Sequence, residues 1–443
     1  MEIIIADDFT GASDSGIKFK ERNLETKVVW DLEIRKYLDK GNLISLDLDT
    51  RNISEEEAYQ RTEYIFKQLH MVNSRKIFKK IDSTMRGNIT AEINAMLDSK
   101  EIDFTVVIPS YPDNNRYLKG GKLYVNDVLL EDTPFYKDVL LPFKSSLATE
   151  IISFQSKYKV KRLNKEDISY NFEENICSSL KDNVKIFVCD AETNQDIQEI
   201  YDNFSTLNNE FIWSGSAGLA NIIAKSLKSK EFDSISQYEP ENGIIVALGS
   251  TNEVTRKQLQ ALVLQTDINS IEISAYKLLH SEKLQSEILE IALEIFEYLS
   301  EGENVVIYTN ASDAEQQKLN DYKLKKNINN RQIGKKISKG LGMIIDEVNR
   351  KFKIKNLIMS GGDTAKGIAD TINYKEYELF HSIEEGMPLG ILQSDNSQII
   401  SVTKSGGFGT EDSLVKAYIT LGGHFKNGYQ RNNTSDGYSN QRQ

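Results

Sequence analysis

The chain has 443 residues, and its 66 aspartates and glutamates against 54 lysines and arginines give a formal net charge of −12. This length predicts two or three domains, and an acidic chain without a basic block is a poor non-specific binder of nucleic acid. Two cysteines exclude a disulfide scaffold, and no apolar run approaches the ~18 residues of a membrane helix, so we expect a cytoplasmic protein with neither a nucleic-acid nor a membrane partner.

Short apolar runs rich in Ile and Val recur along the chain and alternate with helical patterns. Such runs are typical of strands buried on both faces. The predicted strands are residues 2–6, 26–30, 43–47, 76–79, 104–108, 184–189, 210–213, 243–248, 304–308, 356–359 and 398–402. Ser54 and Glu57 form a capping box that opens a helix to about His70, and residues 284–299 form another amphipathic helix. The alternation predicts an α/β fold of two domains, each a mostly parallel sheet flanked by helices.

The segment 228–242 is polar, contains a proline, and separates a helix from a new strand. These features predict an interdomain linker, which divides the chain into residues 1–230 and 240–425. Residues 426–443 are rich in Asn, Gly and Ser, and we expect this tail to be disordered. The basic segment 323–339 is interpreted as a solvated helix face, with a phosphate-attracting rim as the alternative.

Polar residues follow three predicted strands of the first half. Asp7 and Asp8 follow the first strand, Arg51 follows the strand 43–47, and the segment 80–86 follows the strand 76–79. Ligands of open α/β sheets bind at the carboxyl ends of the strands, and adjacent carboxylates need cations or hydroxyl donors beside them. Together the three strand ends predict a site for a small polyhydroxylated anion. The alternative for each residue alone is a helix cap or a solvated side chain.

Three glycine-containing or Ser-Thr loops follow strands of the second half. Glycine lets backbone amides approach a ligand or adopt a positive φ, and helix N-termini favour phosphate. The loops therefore predict a nucleotide site, with a tight strand-to-helix turn as the alternative for each loop alone. The sequence has no GxxxxGK[ST] motif, and no GxGxxG follows a predicted strand, which argues against a P-loop enzyme and an NAD-binding Rossmann domain.

Eight strings occur in a fixed order across nearly the whole chain. They are IADDFTGASDSG, KKIDSTMRGNI, CDAETNQDI, SGSAGLA, ALGSTNEVTRKQL, SGGDTAKGI, EEGMPLG and TKSGGFGTEDSL. In this order they resemble the four-carbon acid sugar kinases. The resemblance implies an N-terminal domain that holds a sugar acid and a C-terminal domain that holds ATP with Mg²⁺. It also implies transfer of the γ-phosphoryl group to the terminal hydroxyl of threonate, erythronate or 3-oxo-tetronate in carbohydrate catabolism.

The resemblance also assigns residues to roles. The implied substrate-binding residues are Asp7, Asp8, Arg51, Lys80, Asp82, Ser83, Thr84 and Arg86. The implied ATP-binding residues are Ser250, Gly361, Gly362, Asp363, Thr364, Gly406 and Gly407. Asp8 and Asp363 are the two candidates for the general base, and the alternative role of Asp363 is to hold Mg²⁺ through water. One departure is Asn115, which precedes Arg116 where the family usually has glycine; since Asn tolerates a positive φ, we expect the turn to persist.

Two other function classes stay open from the sequence. One is a non-catalytic sensor of a sugar acid or nucleotide on the same fold, and the other is a kinase for another sugar or polyol, or an ATP-grasp-like ligase. The stereochemistry of the acid is not visible in the sequence. A homo-oligomer is compatible with it.

Overall fold

The computed structural model describes residues 3–38, 42–70, 77–99, 102–139, 144–227, 243–250, 252–279, 284–394 and 397–426. The predicted linker 228–242 and residues 427–443 of the predicted tail lie outside the described residues. Among the helices of the described part of the chain, none is long and apolar enough to cross a membrane.

Eighteen strands are described. They are β1 (Ile3–Ala6), β2 (Thr26–Val29), β3 (Leu43–Asp47), β4 (Ile77–Lys80), β5 (Phe104–Ile108), β6 (Arg116–Lys119), β7 (Lys122–Val125), β8 (Val128–Leu129), β9 (Lys159–Leu163), β10 (Val184–Cys189), β11 (Phe211–Gly215), β12 (Ile244–Leu248), β13 (Asn269–Ile273), β14 (Val305–Thr309), β15 (Asn356–Ser360), β16 (Glu376–Glu384), β17 (Met387–Gln393) and β18 (Gln398–Lys404).

Fifteen α-helices lie between them. They are α1 (Phe9–Lys20), α2 (Arg35–Leu38), α3 (Glu55–His70), α4 (Ile89–Asp98), α5 (Ala148–Ser153), α6 (Lys165–Ser169), α7 (Phe172–Lys181), α8 (Asn194–Ser205), α9 (Ala217–Ser226), α10 (Glu253–Gln265), α11 (Leu284–Ser300), α12 (Asp313–Lys326), α13 (Asn330–Phe352), α14 (Gly362–Thr371) and α15 (Ser413–Thr420). Short 3₁₀ turns cover Pro112–Asn114, Leu130–Asp132, Pro134–Asp138 and Lys277–Leu279.

The α/β fold class is confirmed, and each of the eleven predicted strands is present. The capping box is also present, because the Glu57 amide donates to Ser54 Oγ and the Ser54 amide donates to the Glu57 carboxylate, each at 3.3 Å. The sequence missed seven strands, β6–β9, β13, β16 and β17. Of these, β9 and β13 form the two edges of the large sheet and have exposed residues between buried or half-buried ones. A half-exposed edge strand has no continuous apolar run, so its signal is weak.

The two halves share one sheet of fifteen strands, where the sequence predicted a separate sheet for each domain. Its order is β13-β14-β12-β15-β18-β17-β16-β2-β3-β1-β4-β11-β5-β10-β9. Strands on either side of the centre run parallel, whereas β16 and β17 are antiparallel to their neighbours. The pairing of β16 with β2 joins the halves. Strands β6 to β8 form a small separate antiparallel sheet.

A hydrophobic core crosses the junction between the halves. Phe9 and Trp30 of the first half pack with Tyr377 and Leu379 of the second. The Phe9 ring lies edge-on to Trp30 at 5.4 Å between centroids and stacks on Tyr377 at 6.2 Å. The indole of Trp30 donates a 2.9 Å hydrogen bond to Asp370 Oδ1 of the second half. The junction is therefore packed like the interior of a domain, which fixes the facing strand ends of the two halves.

Candidate active site

A cleft of about 360 Å³ lies between the halves. From the first half it is lined by Asp8, Asp47, Asp49, Arg51, Arg86 and Arg116. From the second half it is lined by Gly362, Asp363, Lys366, Ser405, Gly406 and Gly407. The polar motifs meet here because β3, β1 and β4 are neighbours in the sheet, as are β12, β15 and β18, and parallel strands end at one edge.

Asp8 begins α1 at the edge of the cleft. It is the N-cap of the helix, and its Oδ1 accepts a 2.8 Å hydrogen bond from the amide of Gly11. Burial and the neighbouring Asp7 carboxylate raise the pKa of Asp8 above its ordinary value, although Arg51 acts in the opposite direction. The carboxyl group of Asp8 is therefore held in a fixed orientation, and its proton affinity is higher than that of an exposed aspartate.

Arg51 is surrounded by three carboxylates. Its Nε donates to Asp7 Oδ2 at 2.7 Å, its Nη1 donates to Asp8, and its Nη2 lies 3.6 Å from Asp82 Oδ1. Asp7 is buried behind it, and although burial opposes ionisation, Arg51 and Lys79 lower the pKa of Asp7. Because its guanidinium already binds these side chains, Arg51 is placed to orient Asp8 more than to bind a free acid.

In the segment that ends β4 and follows it, one arginine lines the cleft, and the other polar side chains lie behind the cleft wall. Arg86 Nε and Nη2 donate to the two oxygens of Asp82 at 2.8 and 2.9 Å. Although Asp82 is buried, Arg86 and Arg51 hold its pKa well below the ordinary value. Thr84 is bound to Asp82, and Lys80 Nζ donates to the carbonyl of Ile81 at 2.9 Å. Asp82, Thr84 and Lys80 thus form the support of the cleft wall.

Aromatic rings complete the wall of the first half. The guanidinium of Arg86 lies 5.6 Å from the centroid of Phe135. Arg116 lies between Phe135, at 5.8 Å, and Phe408 of the second half, at 6.0 Å. Asn115 has φ 52°, so the turn before Arg116 is present despite the departure from glycine. Burial lowers the pKa of Arg116, and this cation remains available to an anion in the cleft.

The glycine loops of the second half face this wall. Gly361 has φ 103°, a conformation that favours glycine, and it precedes α14. Gly362 packs directly against Thr10 of α1 and leaves no room for a Cβ, so the two halves touch at this point. Asp363 is exposed in the first turn of α14. The N-terminal amides of α14 and the exposed carboxylate beside them therefore open onto the cleft.

Of the two reasons for glycine that the sequence offered, close approach of a ligand and a positive φ, the second does not apply to Gly406 and Gly407. In this loop the positive φ belongs to Gly409, at 87°. A Cβ on Gly406 would lie 3.1 Å from Asn252 Nδ2 and 3.4 Å from Ser250 Oγ, whereas a Cβ on Gly407 would meet no atom within 4 Å. Gly407 is exposed and lines the cleft, so close approach by a ligand stays a prediction for this glycine.

The cleft thus contains seven of the residues that the sequence selected. They are Asp8, Arg51, Arg86, Gly362, Asp363, Gly406 and Gly407. The others do not line it: Asp7, Lys80, Asp82, Ser83, Thr84, Ser250, Gly361 and Thr364.

The side chains of the cleft fit Mg²⁺ as a partner of substrate phosphates and water. In the described part of the chain no group of three or more His, Cys, Asp or Glu side chains is arranged to hold a metal ion. Mg²⁺ in phosphoryl-transfer sites is usually bound by one or two carboxylates together with substrate phosphates and water. Asp363, which is exposed at the cleft, fits that role, whereas an all-protein metal cage does not fit.

Two family models match the chain. Residues 2–223 match the sugar-binding N-terminal domain, and residues 245–414 match the nucleotide-binding C-terminal domain. A D-threonate kinase from Salmonella typhimurium is 25% identical over 94% of this chain and 97% of the relative. A D-erythronate kinase from Heliobacterium modesticaldum is 26% identical over 93% and 94%, and a 3-oxo-tetronate kinase from Pseudomonas savastanoi is 24% identical over 95% and 97%. The chain belongs to the four-carbon acid sugar kinase family.

Solved structures show the same fold. A protein from Salmonella typhimurium LT2 superposes with a TM-score of 0.75 at 19% identity and covers 94% of this chain and 98% of that one. A protein from Haemophilus influenzae superposes with a TM-score of 0.69 at 22% identity over 95% and 100%. These likenesses show the fold of the chain over nearly its whole length.

Sequence reasoning missed several residues that line the cleft. Asp47 and Asp49 lie in the same strand-end segment as Arg51, and Lys366 lies one helical turn after Gly362, so position alone was a usable signal. Burial raises the pKa of Asp47 to about 6, although the Lys366 ammonium acts in the opposite direction. Phe135 lies in the short 3₁₀ turn Pro134–Asp138 and carried no signal, because a lone aromatic residue is usually part of a core.

Proposed function

We propose that the protein transfers the γ-phosphoryl group of ATP to the terminal hydroxyl of a four-carbon sugar acid, within the catabolism of such acids. The observation that carries the proposal is the cleft itself, which has arginines and a carboxylate on one wall and glycine loops with a helix N-terminus on the other. Residues 1–230 hold the sugar acid, and residues 240–425 hold ATP. The names of the relatives, which are threonate, erythronate and 3-oxo-tetronate kinases, support this substrate class.

The wall of the first half binds the acid. Arg86 and Arg116 face the cleft, and a guanidinium suits a carboxylate because it donates two parallel hydrogen bonds. Asp82 fixes the orientation of Arg86. Arg116 Nη1 donates to the Asn114 carbonyl, which orients this guanidinium between the two phenylalanines. The carboxylate end of the substrate then lies beside the arginines, and its hydroxyl end points towards α14.

Asp8 acts as the general base. The substrate hydroxyl oxygen forms a bond to the γ-phosphorus while the bond from that phosphorus to the β,γ-bridging oxygen breaks, and ADP leaves. The hydroxyl proton passes to the Asp8 carboxylate, whose raised pKa favours accepting it. Arg51 keeps that carboxylate in place.

The wall of the second half binds the phosphates. Backbone amides of the glycine loops and of the α14 N-terminus donate to phosphate oxygens, since a helix N-terminus carries partial positive charge. Asp363 holds Mg²⁺ that accompanies the phosphates. When bound, Mg²⁺ neutralises charge on the β- and γ-phosphate oxygens.

The experiment is a turnover screen with the full-length protein. ADP release is measured with ATP, Mg²⁺ and each of the four tetronates or their 3-oxo forms, and the product is examined by phosphorus NMR. Succinate, a four-carbon acid without a hydroxyl, is the control. A phosphate monoester formed from one of the tetronates supports the proposal. Binding of the acid and an ATP analogue without turnover would indicate a sensor, and a new amide or thioester would indicate a ligase.

A further inference from the structure

The cationic side chains that line the cleft come unequally from the two halves. Among the described residues that line it, Arg51, Arg86 and Arg116 belong to the first half, and Lys366 is the one lysine or arginine of the second half. Arg51 and Arg86 are bound by carboxylates of their own half. Lys366 is therefore the side-chain cation that approaches the cleft from the wall of the glycine loops.

Lys366 is carried by the same helix face that touches the first half. It lies four residues after Gly362 on α14, and residues four apart share a helix face. Gly362 packs against Thr10 at the start of α1. Lys366 thus lies beside the seam between the halves, where a group passing from one substrate to the other must be located.

The ammonium of Lys366 lies between two carboxylates of the other half. Its Nζ is 3.1 Å from Asp47 Oδ2 and 3.5 Å from Asp49 Oδ2, both at the end of β3. The Asp47 side chain is fully buried, and its Oδ2 has no partner with hydrogen-bond geometry. Burial favours the neutral amine, yet the two carboxylates raise the pKa of Lys366, so the group is an ammonium. A cation on a flexible stem can exchange one anionic partner for another.

This inference rests on the proposed kinase activity. We propose that Lys366 is a catalytic residue that contacts the γ-phosphoryl group during transfer, and that Asp47 and Asp49 hold its ammonium in the cleft until ATP is bound. The charge of the transferring group is spread over its three outer oxygens, and a fixed cation beside them stabilises the transition state. Lys366 belongs to the second half, to which we assign ATP. We therefore expect it to stabilise the transition state without contributing to the affinity for the sugar acid.

The test compares Lys366→Met and Lys366→Gln with a matched control, Lys335→Met. Lys335 Nζ also contacts Asp49, at 3.2 Å, but Lys335 lies on α13 and does not line the cleft. Loss of a group that stabilises the transition state lowers kcat about 100-fold, so we expect that loss for both Lys366 variants. The KM for the acid and the kcat of Lys335→Met should stay within about threefold of wild type. If Lys366 were only a structural ion bridge, its folded variants would lose stability but keep kcat within about threefold of wild type.

Calorimetry supplies a readout that does not need turnover. A non-hydrolysable ATP analogue carries the γ-phosphate, so it should bind Lys366→Met about tenfold more weakly than it binds the wild-type protein. ADP lacks the γ-phosphate, and its affinity for the variant should be within about twofold of its affinity for wild type. Equal weakening of both ligands, or no weakening of the analogue, would overturn the inference. Melting curves by circular dichroism establish which variants are folded, and Lys366→Gln serves if Lys366→Met does not fold.

The two proposals fail in different ways. If the wild-type protein phosphorylates none of the tetronates, the proposed function is wrong, and the calorimetric comparison still decides whether Lys366 contacts the γ-phosphate. If the wild-type protein is active and a folded Lys366 variant keeps kcat within about threefold, the inference alone is wrong.

Discussion

At the scale of single residues, Asp8 is both the cap of a helix and a carboxyl group with a raised pKa. It caps α1, it is held by Arg51, and its pKa is raised by burial and by Asp7. Asp363, the other candidate base, is exposed and lies in the first turn of α14. Asp8 is fixed on the wall to which we assign the acid, and Asp363 lies on the wall to which we assign the phosphates, so we propose different roles for them.

Replacement of Asp8 by Asn separates these roles. Because Asn is also a good N-cap, α1 should persist and the melting temperature should change little. The loss of a general base lowers kcat by about 10² to 10⁴, with the KM for ATP nearly unchanged.

Asp363→Asn should instead raise the Mg²⁺ concentration needed for half-maximal rate. Steady-state kinetics at varied Mg²⁺ check both variants, and a normal kcat in Asp8→Asn would move the base to Asp363.

Arg86 gives a second prediction at this scale. Removing one partner of a charge-assisted contact costs about 2–5 kcal/mol, so Arg86→Ala should raise the KM for the acid at least about 30-fold and leave the KM for ATP intact. The matched control is Arg162→Ala, since Arg162 forms a similar pair with Asp190, Nε to Oδ2 at 3.0 Å, outside the cleft. An Arg86→Ala enzyme with an unchanged KM for the acid would show that another group binds the carboxylate.

At the scale of elements, the loops after β12, β15 and β18 act as one unit. They follow three neighbouring parallel strands, and the first and third touch, because Thr255 Oγ1 of α10 donates to the Gly406 carbonyl at 3.0 Å. The side chain of Lys404 reinforces the third loop by donating to the Ser405 carbonyl at 2.8 Å. Burial lowers the pKa of this lysine to about 8. The loops are thus fixed by their own contacts before a ligand binds.

Substitution of Gly407 tests whether its loop contacts a ligand, because an added methyl group there would not disturb protein contacts. A Cβ there meets no protein atom within 4 Å and requires no strained φ, so Gly407→Ala should fold like wild type. If backbone amides of this loop contact phosphates, the added methyl group should raise the KM for ATP several-fold, roughly the cost of one weakened hydrogen bond. Gly334→Ala is the control, since its Cβ is equally free but lies on α13 away from the cleft. Equal KM values for ATP in the two variants would remove the phosphate role from Gly407.

At the scale of the whole molecule, a shared sheet and a shared core join the two halves. The β16–β2 pairing makes the sheet continuous, and the core around Phe9, Trp30 and Tyr377 contains side chains of both halves. Lys18 of α1 also pairs with Glu385 of the second half at 2.8 Å. A fragment of the second half alone would expose the edge of β16 and this core. The two walls of the cleft are therefore held in register by shared packing.

Shared packing predicts coupled unfolding. Phe9 is 3% exposed, and its truncation in Phe9→Ala should lower the free energy of unfolding by about 3–5 kcal/mol in a single denaturant transition. Leu264→Ala, at a side chain that is 68% exposed, should change it by less than about 0.5 kcal/mol. Circular dichroism in urea measures both. Two separated transitions, with only the earlier one shifted by Phe9→Ala, would show that the halves unfold independently.

The sequence by itself determined the fully buried strands and the positions of the polar loops. Strands such as β1, β5 and β12 are buried along their whole length, and only continuous apolar residues tolerate that environment. The placement of Asp8 and Arg86 at one edge of the sheet also followed from sequence, because parallel strands of one sheet end at a common edge. Local periodicity and strand polarity are properties of short segments, so they could be predicted without knowledge of the rest of the chain.

Only the tertiary structure decided which groups pair across the cleft. Neither the three carboxylates around Arg51, nor Arg116 between two phenylalanines, nor Lys366 between Asp47 and Asp49 follows from the spacing of residues. The same is true of β16, which alternates half-buried and buried residues and joins the halves by pairing with a strand about 350 positions earlier. Such contacts form only when segments far apart in the sequence come together in space. Charged partners hundreds of residues apart produce no periodic pattern in the sequence, so they could not be predicted from it.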